Sequence, residues 1–281
     1  MNIIIADYSG FCFGVERAIS IAYDAATRYE NVRTYGPIIH NPQVVERLES
    51  KNIKVINNID EIKSNDLLII RSHGITKKLY DELLERDIKI IDATCPFVKK
   101  AYNAARLLSD EDYFVVILGD KEHPEVEGII SYIKREYLVI SNVSEALSLP
   151  FKEKIGYIAQ TTQERKLFRD IGVVLRNRCN SLKIVDTICN ATFQRQSSAK
   201  KVAKKVDIML IIGGKNSANT RRLYTICSHI CSRTYLIEKK EDLAFIDIKD
   251  AINLGISAGA STPDYVIKEV LEYLKEVDYV R

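Results

Sequence analysis

Short apolar runs alternate along the chain with stretches in which apolar residues recur every third or fourth position. The runs at 2–6, 88–92, 113–119, 183–186 and 207–213 have the length of buried strands. Between them the period is helical, with Val15, Ile19, Ala22 and Ala26 in one stretch and Val98, Tyr102, Ala105 and Leu108 in another. Helix starts are marked by Asn41-Pro42, His123-Pro124 and Thr262-Pro263, because a proline in the first turn gives up no intrahelical bond. The weakest helical stretch is 193–206, whose apolar face is interrupted by Ser197 and Ser198.

The pattern repeats. Cys12, Cys95 and Cys189 each follow an apolar run. A glycine then ends the next run 24 residues later (36 − 12, 119 − 95 and 213 − 189). At offset 28 stand His40, His123 and Ser217. Each copy continues with a short β-rich run, Ile53–Ile56, Tyr137–Ile140 and Thr234–Ile237, and then a strand ending in a polar cluster. Those clusters are Arg71-Ser72-His73-Gly74, Gln160-Thr161-Thr162 and Ala258-Gly259-Ala260-Ser261. A long-period repeat of alternating strands and helices implies modules with parallel sheets and helices on both faces. The expected fold class is α/β, with three modules related by a pseudo-threefold axis, each holding a small, mainly parallel four-stranded sheet. The expected boundaries are 13–95, 96–188 and 189–281, the third completed by an N-terminal strand within 1–12.

Composition changes this picture little. The chain has 281 residues, 46% hydrophobic and 28% charged, with net charge +3, which is too small to mark a polyanion binder. The apolar runs are far short of a membrane span. The opening residues read as a strand rather than a secretory leader. Six cysteines in such a chain suit a reducing, cytoplasmic setting, where they are expected to bind metal, to catalyse or to be inert.

Ligands of open parallel sheets bind beyond the carboxyl ends of the strands, where helix N-termini also point. In a threefold arrangement Cys12, Cys95 and Cys189 meet on the axis, in a central metal-cluster cavity. Soft thiolates select zinc, copper(I) or iron–sulfur, and three of them leave one coordination position open, as in catalytic sites. Cys179, Cys227 and Cys231 are expected to be packing residues. Three of the four histidines, His40, His73 and His123, fall at strand ends. Ser217, Asn219 and Ser261 beside helix starts form a donor-rich wall suited to phosphate oxygens. Glu125, two residues past His123, suits helix-dipole compensation and proton delivery equally.

At these residues the chain resembles one family throughout its length. The motifs are Gly10-Phe11-Cys12-Phe13-Gly14, Gly36-Pro37-Ile38-Ile39-His40-Asn41, Ser72-His73-Gly74, Asp92-Ala93-Thr94-Cys95-Pro96, Glu122-His123-Pro124-Glu125-Val126 and Gln160-Thr161-Thr162. Asp186-Thr187-Ile188-Cys189-Asn190-Ala191-Thr192, Gly214-Lys215-Asn216-Ser217-Ala218-Asn219-Thr220 and Ala258-Gly259-Ala260-Ser261 complete the set. The family is 4-hydroxy-3-methylbut-2-enyl diphosphate reductase, of the LytB/IspH type.

The resemblance implies one [4Fe-4S] cluster on Cys12, Cys95 and Cys189, with one iron not ligated by cysteine. It implies reductive dehydroxylation of an allylic diphosphate to isopentenyl and dimethylallyl diphosphates, the last step of the non-mevalonate isoprenoid route, with ferredoxin or flavodoxin as electron donor. His40, His73, Ser217, Asn219 and Ser261 would hold the diphosphate, with His123 near the substrate. Thr161 and Glu125 would relay protons at the substrate hydroxyl, supported by Gln160. Ala218 departs from members with a second serine there, and one hydroxyl contact of about 1 kcal/mol is absent. Two other readings stand beside this one: a non-catalytic iron–sulfur protein of the same fold for electron transfer or redox sensing, and a structural zinc protein.

Overall fold

The computed structural model describes residues 1–86 and 88–279; Asp87, and Val280 and Arg281 at the end of the third expected module, lie outside the described residues. Among the described residues there are three four-stranded sheets, and every strand pair in them is parallel. The first holds β2 (Val32–Tyr35), β3 (Ile53–Ile56), β4 (Leu67–Ile70) and β5 (Lys89–Asp92), in the order β3-β2-β4-β5. The second holds β6 (Phe114–Leu118), β7 (Tyr137–Ile140), β8 (Lys152–Ala159) and β9 (Cys179–Ile184), in the order β7-β6-β8-β9. In the third, β10 (Ile208–Ile212), β11 (Thr234–Ile237) and β12 (Asn253–Ala258) follow the order β11-β10-β12, and β1 (Asn2–Ile5) takes the fourth place beside β12.

The equivalence of the sheets extends to single hydrogen bonds. The N–H groups of Gly36, Gly119 and Gly213 donate to the carbonyls of Ile56, Ile140 and Ile237, at 2.8, 2.9 and 2.8 Å. Those of Cys12, Cys95 and Cys189 donate to Ala260, Ser72 and Thr161, at 3.1, 2.9 and 3.0 Å. One repeated backbone contact thus ties each cysteine to the polar cluster ending the neighbouring strand. Gly213 has φ +147°, and a Cβ there would meet Thr262 Oγ1 at 2.6 Å and Thr220 Oγ1 at 2.8 Å, so the turn requires glycine.

By internal contacts the chain forms two compact units. One comprises Met1–Glu16, Ile39–Glu46 and Asn190–Arg281, and contains the third sheet. Its core includes the fully buried β10, with Leu254, Ile256, Val270 and Leu274. Helices α8 (Asn190–Ala203), α9 (Ala218–Ser228) and α10 (Asp264–Tyr279) belong to this unit. The other unit, Arg17–Ile38 with Arg47–Cys189, holds the first two sheets and α3 (Lys77–Glu85), α4 (Pro96–Asp110), α5 (Pro124–Ile130), α6 (Val143–Leu147) and α7 (Arg165–Arg176). Helices α1 (Phe13–Arg28) and α2 (Pro42–Glu49) run from the first unit's segments into the second's. The apolar stripe expected after Cys95 is the buried face of α4: Val98, Tyr102, Ala105 and Leu108. Of these, Val98 and Leu108 each contribute about 1.5–3 kcal/mol by their burial.

Helix α8 explains the weak pattern near 193–206. It begins three residues earlier than expected and buries Thr192, Arg195, Gln196 and Ser198 beside Ala199, Val202 and Ala203. Ser198 Oγ accepts the N–H of Asp7 at 2.8 Å. Its buried face is polar because it makes hydrogen bonds, and a hydrophobic stripe cannot register that.

Candidate active site

Cys12, Cys95 and Cys189 each directly precede a helix, α1, α4 and α8, after the edge strand of a sheet. None of the three is in a disulfide, and all are partly exposed. Cys227 and Cys231, by contrast, are buried among Ala199, Met209 and Leu223, and burial pushes the Cys227 thiol up to about 12. Cys179 donates to the Leu175 carbonyl at 3.4 Å, and burial raises its thiol as well. These three are packing residues.

In the unit holding the first two sheets, the expected residues form one connected chain. The Cys95 N–H donates to the carbonyl of Ser72, whose Oγ donates to the Ile38 carbonyl at 2.9 Å. The next residue, His73, meets the His123 ring edge-on, with centroids 5.5 Å apart. His123 caps α5: its Nδ1 accepts the Glu125 N–H at 3.1 Å, so in neutral imidazole the proton sits on Nε2. Glu125 Oε1 accepts the Thr161 N–H at 2.7 Å, and Oε2 accepts from Thr161 Oγ1 at 2.9 Å. Thr161 in turn accepts the Cys189 N–H through its carbonyl. Two cysteines are therefore joined through two histidines and a carboxyl–hydroxyl pair.

Glu125 is only 1% exposed. Burial disfavours its charged form and outweighs the two bonds from Thr161, so its carboxyl is pushed up to about 7. A group there carries and releases a proton near neutrality. Gln160 is fully buried, and its Oε1 accepts the Asp120 N–H at 3.0 Å, holding the turn that leads to His123.

The other unit carries Cys12, His40, Ser217, Asn219 and Ser261. Asn41 Oδ1 accepts the Val44 N–H at 3.1 Å and so caps α2, whereas in the later copies the residue at offset 28 is itself the cap. Ser217 caps α9 through the Thr220 N–H at 3.4 Å. Ser261 Oγ donates to the His40 carbonyl at 3.3 Å. Gly214 faces the same carbonyl, and a Cβ there would lie 2.5 Å from it. Asn219 is buried, and neither polar atom of its amide has a hydrogen-bond partner among the described residues. A buried amide without a partner is rare in folded proteins and calls for a physical reason. Ala218, buried at the start of α9, adds no hydroxyl.

Tyr102 has a role that the helical period did not reveal. Its Oη donates to the His73 carbonyl at 2.9 Å, and its ring occupies the space where side chains at Gly74 and Gly128 would be. Gly74 has φ +75°, which glycine alone adopts without strain. Because Gly128 lies on α5, one ring braces the His73 turn and the helix of Glu125 together. No local signal marks this, since the partners are 28 and 26 residues away (102 − 74 and 128 − 102).

Three parallel four-stranded sheets, each with a cysteine just beyond an edge strand, and a buried acid near neutrality suit an α/β enzyme. The chain belongs to the LytB protein family, whose model matches residues 3–275. It is 47% identical over 281 residues to the 4-hydroxy-3-methylbut-2-enyl diphosphate reductase of Caldanaerobacter subterraneus subsp. tengcongensis, covering 99% of this chain and 98% of that one. The same reductase of Syntrophotalea carbinolica is 47% identical over 278 residues, covering 99% of each. A solved structure of (E)-4-hydroxy-3-methyl-but-2-enyl diphosphate reductase, the terminal enzyme of the non-mevalonate pathway, is 42% identical and covers 98% of this chain and 100% of that one, with a TM-score of 0.69. The E-1-hydroxy-2-methyl-but-2-enyl-4-diphosphate reductase of Plasmodium falciparum is 25% identical with a TM-score of 0.90, covering 98% and 87%.

Proposed function

We propose that this chain is a 4-hydroxy-3-methylbut-2-enyl diphosphate reductase that replaces the allylic hydroxyl of its substrate with hydrogen. Two electrons and two protons are taken up. The C–O bond breaks, oxygen leaves as water with one proton, and carbon takes the electron pair and the other proton to give isopentenyl and dimethylallyl diphosphates. The observation that carries this reading is the Glu125–Thr161 pair, a buried carboxyl near pKa 7 bonded to a hydroxyl, one peptide contact from Cys189.

Cys12, Cys95 and Cys189 would hold one [4Fe-4S] cluster with one iron free of cysteine. Three cysteines outside any disulfide, each directly before a helix, are a donor set that fits such a group. When bound, it supplies electrons and a Lewis-acidic iron. His40, His73, Ser217, Asn219 and Ser261 bind the diphosphate, and the buried Asn219 amide gains there the partner it otherwise lacks. This remote binding energy fixes the hydroxyl for reaction. His123, through its Nε2–H, lies close to the substrate. Protonated Glu125 passes its proton to Thr161 Oγ1, whose own proton moves to the departing oxygen. Gln160 keeps the His123 turn in place.

The three sheets are the cores of three modules, 13–95, 96–188 and 189–281 with 1–12. Electrons come from a ferredoxin or flavodoxin, and the enzyme works in the cytoplasm; no described helix is long and apolar enough to cross a membrane. The test is anaerobic purification, iron and sulfide analysis, and turnover of the allylic diphosphate with reduced methyl viologen. Four irons per chain and two five-carbon diphosphate products are expected. A loaded cluster without turnover would make the chain an electron carrier or sensor, and zinc in its place would end the redox account.

A further inference from the structure

The helical position six residues beyond each cysteine is buried in all three copies: Ala18, Ala101 and Arg195 (12 + 6, 95 + 6 and 189 + 6). Two are fully buried alanines, small apolar side chains that are enclosed at little cost. The third is a guanidinium only 4% exposed. Arginine stays charged wherever it is placed, and enclosing that charge is costly compared with an apolar residue of similar volume. Packing alone therefore does not account for it.

Its contacts are specific. Arg195 Nη2 donates to the Gly10 carbonyl at 2.7 Å, and Nη1 makes a longer contact of 3.4 Å to the Ala191 carbonyl. Gly10 lies two residues before Cys12, and Ala191 two residues after Cys189. Gly10 itself is held at φ +91°, with the Asp264 carboxylate where a Cβ would point, 2.7 Å away. Asp264 is exposed, so solvent and salt screen its charge, whereas the enclosed guanidinium is screened much less.

We propose that Arg195 is a positioning residue of the metal centre: it fixes the Cys12 loop through Gly10 and places beside it one permanent positive charge that raises the centre's reduction potential. This rests on the iron–sulfur reading above. Adding an electron to a thiolate-bound cluster increases its negative charge, which a fixed cation nearby favours. Net charge and hydrogen bonding around the ligands are the recognised levers on such potentials. The asymmetry among the copies has a purpose here, because only the third pays for an enclosed charge.

The experiment compares wild type, Arg195→Gln and Arg195→Lys as anaerobically loaded proteins, by iron content and by midpoint potential from a spectroscopically followed redox titration. Glutamine keeps a donor for the Gly10 carbonyl but no charge; lysine keeps the charge without the planar fork. Arg195→Gln is expected to load iron and to disfavour reduction about tenfold, a fall of about 59 mV for one electron. Arg195→Lys is expected to stay close to wild type. A glutamine variant that loads no iron beside a lysine variant that does also supports a need for the charge. Unchanged potentials in both, equal shifts in both, or iron lost from both would overturn the charge role. A wild type without a four-iron cluster would defeat the underlying reading, and this inference with it.

Discussion

Replacing Glu125 by glutamine keeps the side chain's shape and one acceptor for the Thr161 N–H, but removes the only titrating proton of the pair. Its magnitude follows from the burial. In the folded chain the carboxyl is raised from 4.5 to about 7, a difference worth about 3 kcal/mol between its two protonation states. The sign follows from linkage: a raised acid contributes stability that is fully present below pH 4.5 and is lost as pH rises through about 7. Glutamine does not titrate. The stability of Glu125→Gln relative to wild type therefore increases between pH 5 and pH 8 by about 2–3 kcal/mol, read by urea unfolding of both cluster-free proteins at each pH. Turnover of the loaded enzyme moves the other way. It falls by about 10²-fold or more, as expected when a general acid is lost, while diphosphate affinity stays within a few-fold. Wild-type turnover declines as pH rises through about 7, because the acid form is the donor. A stability difference that is flat with pH, or a variant turning over within about threefold of wild type, would refute the reasoning.

Asn219→Ala removes a buried amide without a hydrogen-bond partner among the described residues, so the cluster-free protein should lose no stability and gain up to about 1 kcal/mol; KM for the diphosphate should rise at least about tenfold, and steady-state kinetics beside thermal melting would show both. Tyr102→Phe keeps the ring between Gly74 and Gly128 but leaves the His73 carbonyl without that donor. It should destabilise by about 1 kcal/mol and raise KM more than it lowers kcat; an unchanged KM would show that the His73 turn holds without it. Gly213→Ala forces φ +147° on a side chain and a Cβ against Thr220 and Thr262, for a loss of about 1–3 kcal/mol in denaturant titration.

Much of the fold was legible because its signals are local. The runs at Ile53–Ile56, Tyr137–Ile140 and Thr234–Ile237 are β3, β7 and β11 with the expected ends. Strands buried on both faces read as unbroken apolar segments, and β4, β6 and β10 do so. Identical offsets from the cysteines reflected identical connections, which the glycine and cysteine N–H bonds repeat in each sheet. Where the periodic signal failed, at α8, the helix was present but its buried face was polar.

The sequence by itself determined the order of strands and helices, the repeat and the kinds of reactive group at the strand ends, since each depends on residues close together in the chain. Only the tertiary structure decided what those groups experience. Glu125 is acidic near pH 7 because the enclosing core excludes water from it, against the opposing pull of two hydrogen bonds from Thr161, 36 residues on. Tyr102 supports the His73 turn because two distant glycines leave room for its ring. Arg195 stands beside the Cys12 loop because folding brings Gly10, 185 residues away, within 2.7 Å. Burial and long-range hydrogen bonds are properties of neighbours in space, and a linear pattern carries no record of them.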